Sequence, residues 1–172
     1  MLRRRSLSVA AILALMSSIA VAQRPTARSV KKTTLEIPAS GETIETVLAL
    51  QEGESYLIEV QGIDTYAPGN RVADAEFAYD PDSNVWSEFG GGPEETIEQN
   101  LDLLVNGAAV DWLGSTDGKH FLPHTYSQNH VYRLVLVGNG QPVSFRIYDV
   151  SNDWNEGSLT VSISRLKASG RP

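Results

Sequence analysis

Apolar residues recur at every second position in one short run after another, and no long run carries the spacing of a helix. Tyr56, Ile58 and Val60 share one face of such a run, as do Tyr132, Leu134 and Leu136, and again Leu159, Val161 and Ile163. A half-buried strand requires this alternation, because successive side chains leave opposite faces of the backbone. TTLEIP (33–38), TIETVLAL (43–50), ADAEFAY (73–79), NLDLLV (100–105) and VSFRIYD (143–149) extend the series. Between the runs stand turn clusters such as Pro68-Gly69-Asn70, Gly90-Gly91-Gly92-Pro93 and Gly138-Asn139-Gly140-Gln141-Pro142. The expectation is an all-β chain, a single β-sandwich or jelly roll of the galactose-binding-domain-like kind, with at most one helical turn at PEETIEQ (93–99).

The ends of the chain say where such a sandwich works. Arg3, Arg4 and Arg5 precede an apolar run from Leu7 to Met16 and a small-residue end at Ala20-Val21-Ala22, the pattern of a secretory signal peptide over residues 1–22. Exported material, periplasmic or extracellular, is expected to begin at Gln23. N-terminal sequencing of the native protein checks this, and an intact Met1 would overturn it. Residues 23–32 are polar and lack periodicity, a flexible leader. The sandwich is expected over 33–166, followed by a disordered tail at 167–172. No run reaches the roughly 20 apolar residues of a membrane-spanning helix.

With no cysteine in the chain, an exported domain has to rely on its core, its hydrogen bonds and any bound metal. The chain carries 14 Lys+Arg against 21 Asp+Glu, so loss of the three signal-peptide arginines leaves 11 against 21. A domain so acidic repels nucleic acid and anionic membrane surfaces, and it favours cations and neutral ligands such as sugars.

Catalytic patterns are absent. There is no Gly-x-Ser-x-Gly elbow to expose a serine, and no thiol exists to act as a nucleophile. His120, His124 and His130 lie in KHFLPHTYSQNH, but Pro123 prevents the helix that would bring His120 and His124 together. On a strand the two imidazoles stand about 13 Å apart, too far for one ion. The histidines are therefore expected to be dispensable for metal binding, and the domain is read as non-enzymatic.

Calcium is the cation this composition suits, since it takes six to eight oxygens from carboxylates, amides and carbonyls. In DPDSN, Asp80, Asp82 and Asn84 imitate the start of an EF-hand, yet Val85 replaces the turn glycine and no glutamate closes the loop. That stretch reads as a polar turn. YDVSNDWNEGSLTVSI (148–163) is richer: Asp149, Asn152, Asp153, Asn155 and Glu156 crowd the approach to a strand opened by Gly157-Ser158.

At this stretch the chain resembles the PA-IL family of calcium-dependent, galactose-binding lectins and related secreted bacterial domains. In that family a strand ends in Tyr-x-Asp, an Asn- and Asp-rich loop follows, and Gly-Ser with alternating Val or Ile starts the last strand. Tyr148-Asp149, Asn152 to Glu156 and Gly157-Ser158-Leu159-Thr160-Val161 keep that order, with one residue fewer between Tyr and Asp. VQGIDTYAPG is similar to the family's strand whose turn carries a Tyr with an ion-binding carbonyl.

The resemblance implies a calcium ion held by Asp149, Asp153, Asn155, Asn152 and the Tyr66 carbonyl. A carbohydrate or glycoconjugate would meet Asn155, Glu156 and Tyr66 through two adjacent hydroxyls. Glu156 stands where the family often has a second Asn, and the family's His and Gln sugar contacts have no match in GNRVADAEF. Galactose specificity is therefore not implied. One such site binds weakly, so a homo-oligomer would supply avidity. Two alternatives remain: an envelope or adhesion domain whose calcium is structural only, and the pre-peptidase-type accessory sandwich that TLEIPASGETIETVLALQEGESYLIEV resembles.

Overall fold

The computed structural model describes residues 32–88, 103–149 and 153–167. The expected signal segment and most of the leader, the PEETIEQ stretch and Asn152 lie outside these residues. Among the described residues the chain forms thirteen strands and no helix. They are β1 (Lys32–Pro38), β2 (Ile44–Glu45), β3 (Ser55–Gln61), β4 (Asp64–Ala67), β5 (Arg71–Ala73), β6 (Phe77–Asp80) and β7 (Val85–Glu88). There follow β8 (Leu103–Val105), β9 (Leu113–Gly114), β10 (Leu122–Pro123), β11 (Val131–Val137), β12 (Ser144–Ile147) and β13 (Glu156–Arg165).

All pairings are antiparallel and fall into two sheets, so the expected all-β sandwich is what the chain forms. The larger runs β10-β9-β11-β3-β13-β4-β5-β6-β7 with β1 also on β13, and the smaller runs β2-β12-β8. β13 organises the larger sheet. It pairs with β1 from Lys32↔Ser164 to Pro38↔Ser158, with β3 from Tyr56↔Arg165 to Gln61↔Thr160, and with β4 at Asp64↔Gly157 and Thr65↔Glu156. The register is the same before and after Gly62-Ile63, so β3 and β4 form one interrupted line along β13. Gly62, with φ of +120°, makes the interruption a residue with a Cβ would resist. Two wings leave this line: β11, β9 and β10 beside β3, and β5, β6 and β7 beside β4. Where the wings face each other, the chain places its aromatic and acidic side chains.

The period-two faces pack as the alternation requires. Tyr56, Ile58, Val60, Leu159, Val161 and Ile163 of the larger sheet are sealed against Leu103, Val105, Phe145 and Ile147 of the smaller one. Each such side chain contributes about 1.5–3 kcal/mol on burial. Trp112 fills the same core and anchors its indole N–H on the Leu103 carbonyl at 3.2 Å. Of the β11 face, Tyr132 is fully buried, whereas Leu134 and Leu136 are half-buried at its margin.

Of the expected strands, 143–149 keeps only Ser144–Ile147, and two others are cut shorter by side chains that compete with the backbone. In 43–50 only Ile44–Glu45 is strand, because the Thr46 hydroxyl donates to the Leu48 carbonyl and accepts from the Val143 N–H. Val47 is thereby turned to solvent. In 73–79 the run breaks into β5 and β6 because Asp74 Oδ1 accepts the N–H groups of Glu76 and Phe77, folding the backbone into an Asx-type turn.

Candidate functional site

Pairing of β4 with the start of β13 lays the Tyr66 strand against the Asn- and Asp-rich loop. That approach is close: a Cβ on Gly157, whose φ is +95°, would lie 3.6 Å from the Asp64 Cα. Tyr66 leans its hydroxyl toward the Tyr79 carbonyl at 3.5 Å. Burial raises the pKa of that hydroxyl, and Asp80 and Asp149 push the same way against Arg71. Beside this strand pair opens a cavity of about 390 Å³ lined by Thr65, Ala67, Gly69, Asn70, Trp154 and Glu156, among others. Trp154 is 63% exposed, so an indole face stands at the cavity with nothing packed over most of it. Tyr66 itself belongs to the strand beneath the cavity, while Glu156 is on its wall.

Beneath the strand pair lies Asp64, 5% exposed. Its carboxyl is pushed up to about 7, first by burial and then by the negative charges of Asp74 and Asp149. Asp149 thus stands near enough to β4 for its charge to act on both Asp64 and Tyr66. Asp153 is exposed. Asn155 donates its Nδ2 to the Ala39 carbonyl at 3.0 Å, tying the loop to the end of β1, and its Oδ1 is shielded from solvent. Of the expected cation ligands, Asp149 reaches Tyr66 through its charge, Asn155 ties the loop to Ala39, and Asp153 faces outward. Asp64 escaped the sequence reading. Its position next to Thr65-Tyr66, on a strand whose face points inward, was the available signal.

A second constellation lines the gap between the wings. Asp74 Oδ2 accepts from His130 Nδ1 at 2.9 Å and from the Tyr132 hydroxyl at 2.8 Å. The His130 ring packs against Trp86, at 4.8 Å, and Tyr126, at 5.7 Å, which touch each other at 5.3 Å. His124, carried by the turn after β10, places Nδ1 on Glu88 Oε1 at the end of β7, and this contact raises its pKa. Glu76, 7% exposed, accepts the Trp112 N–H at 3.4 Å. His120 pairs only with Asp117, at 2.7 Å. The three histidines thus meet three different carboxylates.

DPDSN is a turn. Asp80 accepts the N–H of Asp82 and the Ser83 hydroxyl, and Arg71 reaches Asp82 at 2.7 Å. Comparison of the chain with protein-family models, curated proteins and solved structures returns no match.

Proposed function

We propose that the protein is an exported, non-catalytic β-sandwich that binds carbohydrate beside a calcium ion held where β4 meets the loop before β13. The observation that carries this reading is the joining of three things at one end of the sandwich. They are the Tyr66 strand paired with the start of β13, the negative charge of Asp149 acting on Asp64 and Tyr66 of that strand, and beside it a polar cavity lined by Thr65, Glu156 and the exposed Trp154.

The donor set suits calcium. Asp149, Asp153, Asn155 and the Tyr66 carbonyl offer oxygen, and a cation beside them would favour the ionised form of Asp64, which otherwise holds its proton to about pH 7. Bound calcium would supply an open coordination position to two sugar hydroxyls. Trp154 would lie against the apolar face of a sugar ring, and Glu156 would accept from a further hydroxyl. The burial of Asp64 favours a second reading, in which the ion is structural and the domain serves in an envelope or adhesin.

Thermal melts separate the two. Calcium binding to the folded state alone stabilises it by about 2.7 kcal/mol when free ion is 100 times the dissociation constant. Wild type is expected to melt higher in calcium than in chelator, and Asp149→Asn to lose that difference. In the carbohydrate reading, monosaccharides added with calcium quench Trp154 fluorescence, and Trp154→Ala keeps the calcium shift but loses the sugar response. A calcium shift with no response across a saccharide panel would leave the structural reading. Identical melts in calcium and chelator would end both.

A further inference from the structure

The sheet's two wings end at β10 and β7, and the structure brings these outermost strands together at three potential metal ligands. Glu88 closes β7, His124 follows β10, and Glu76 enters β6 from the turn held by Asp74. One ligand atom from each, an imidazole nitrogen and two carboxylate oxygens, lies within 4.8 Å of the other two. We propose that Glu76, Glu88 and His124 bind a first-row divalent transition ion such as zinc, which staples the two wings of the sheet.

The ligand chemistry selects the class of ion. Calcium prefers an all-oxygen shell, whereas one imidazole with carboxylates suits zinc and its neighbours. In a tetrahedral zinc site with bonds near 2.0–2.2 Å, neighbouring ligand atoms stand about 3.3 Å apart. The ligand atoms therefore have to close by at most about 1.5 Å, within reach of side-chain rotation at His124, whose side chain is 61% exposed. The direct His124–Glu88 contact has to open as the ion takes the place of the shared proton. Glu76 gives the site its rigid member: it is buried, and its backbone N–H is fixed by Asp74 Oδ1 at 3.0 Å. Asp111, whose charge also acts on His124, adds to the attraction for a cation. Three ligands leave a fourth position for water.

Because the ligands come from separate segments, the ion would bind the folded state far better than the unfolded chain. It would therefore raise the melting temperature. The site is separate from the calcium loop in residues and in ligand type, so the two can be tested independently.

Calorimetric titration of zinc chloride into the metal-stripped full chain tests the proposal. One zinc per chain is expected, with a raised melting temperature that persists in Asp149→Asn and in the presence of excess calcium. Partners of metal ligands alone are worth about 10–100-fold in affinity, so His124→Ala and Glu88→Gln should each weaken binding at least that much. His124 is exposed enough that its replacement leaves the fold intact. His120→Ala and Asp149→Asn should leave zinc binding unchanged. X-ray absorption is expected to read one imidazole per zinc. Absence of stoichiometric binding, its survival in His124→Ala, its loss in His120→Ala, or two imidazoles per ion would each overturn the assignment.

Discussion

Asp74→Ala is expected to cost about 3–5 kcal/mol of unfolding free energy, the range for removing one member of a buried charged network. The side chain is wholly buried and serves four donors. Its Oδ1 takes the N–H groups of Glu76 and Phe77 at 3.0 and 2.8 Å, and its Oδ2 takes the Tyr132 hydroxyl and His130 Nδ1 at 2.8 and 2.9 Å. Alanine leaves these donors facing one another in a space that water reaches poorly, and each buried donor left unpaired costs about 1–3 kcal/mol. One effect runs the other way, since the Asp74 charge is among those pressing on Asp64. Tyr132→Phe removes one of these donors and also the acceptor of the Ser127 N–H, and should cost less, about 1–3 kcal/mol. Urea denaturation of the three proteins measures both. A loss under 1 kcal/mol for Asp74→Ala would mean that Asp74 does not hold the two wings together.

The alternation of apolar residues made the sandwich legible because period two states directly which side chains are buried. Ile58, Val60, Val161 and Ile163 sit where that pattern put them. Side chains that compete with the backbone were harder to see. Thr46 and Asp74 each end a strand that hydrophobicity alone would extend, by taking a ladder partner for a hydroxyl or a carboxylate. The candidate site was legible in part for a related reason. Asp149 and Tyr66 were singled out through the order of motifs, but the pairing of the Tyr66 strand with the start of β13 depends on β4 continuing the line of β3 along β13, which no local pattern encodes. The histidines show the same limit. Spacing argued only about whether His120 and His124 could share an ion; it could not say that His124 would meet Glu88, 36 residues earlier. A residue's face is written locally, whereas its neighbour across a sheet is set by topology.

Stability in chelator is expected to fall as pH rises from about 4 to 7, and Asp64→Asn to remove much of that fall. In the unfolded chain the Asp64 carboxyl ionises near the ordinary value of 3.8, while in the folded protein it holds its proton to about 7. Between these values the folded state binds more protons than the unfolded state, so each step up in pH favours unfolding. Below the lower value both forms are protonated and the group contributes nothing. Above the upper one the cost is complete, about 4 kcal/mol as an upper bound for a shift of this size. Asp80 and Asp117, held below the ordinary carboxylate range by backbone and side-chain hydrogen bonds, act in the opposite sense and in the window below about pH 4. His124, raised mainly by its bond to Glu88, contributes stability that is lost at the alkaline end. These contributions are common to wild type and variant, so the difference between the two curves isolates Asp64. Asparagine keeps the size of the side chain and never ionises. The variant should match wild type near pH 4 and be the more stable protein at pH 8. Parallel curves for the two proteins across this window would show that Asp64 ionises in the folded state as readily as in the unfolded one, and that the acids around it do not form the negative centre a cation would relieve.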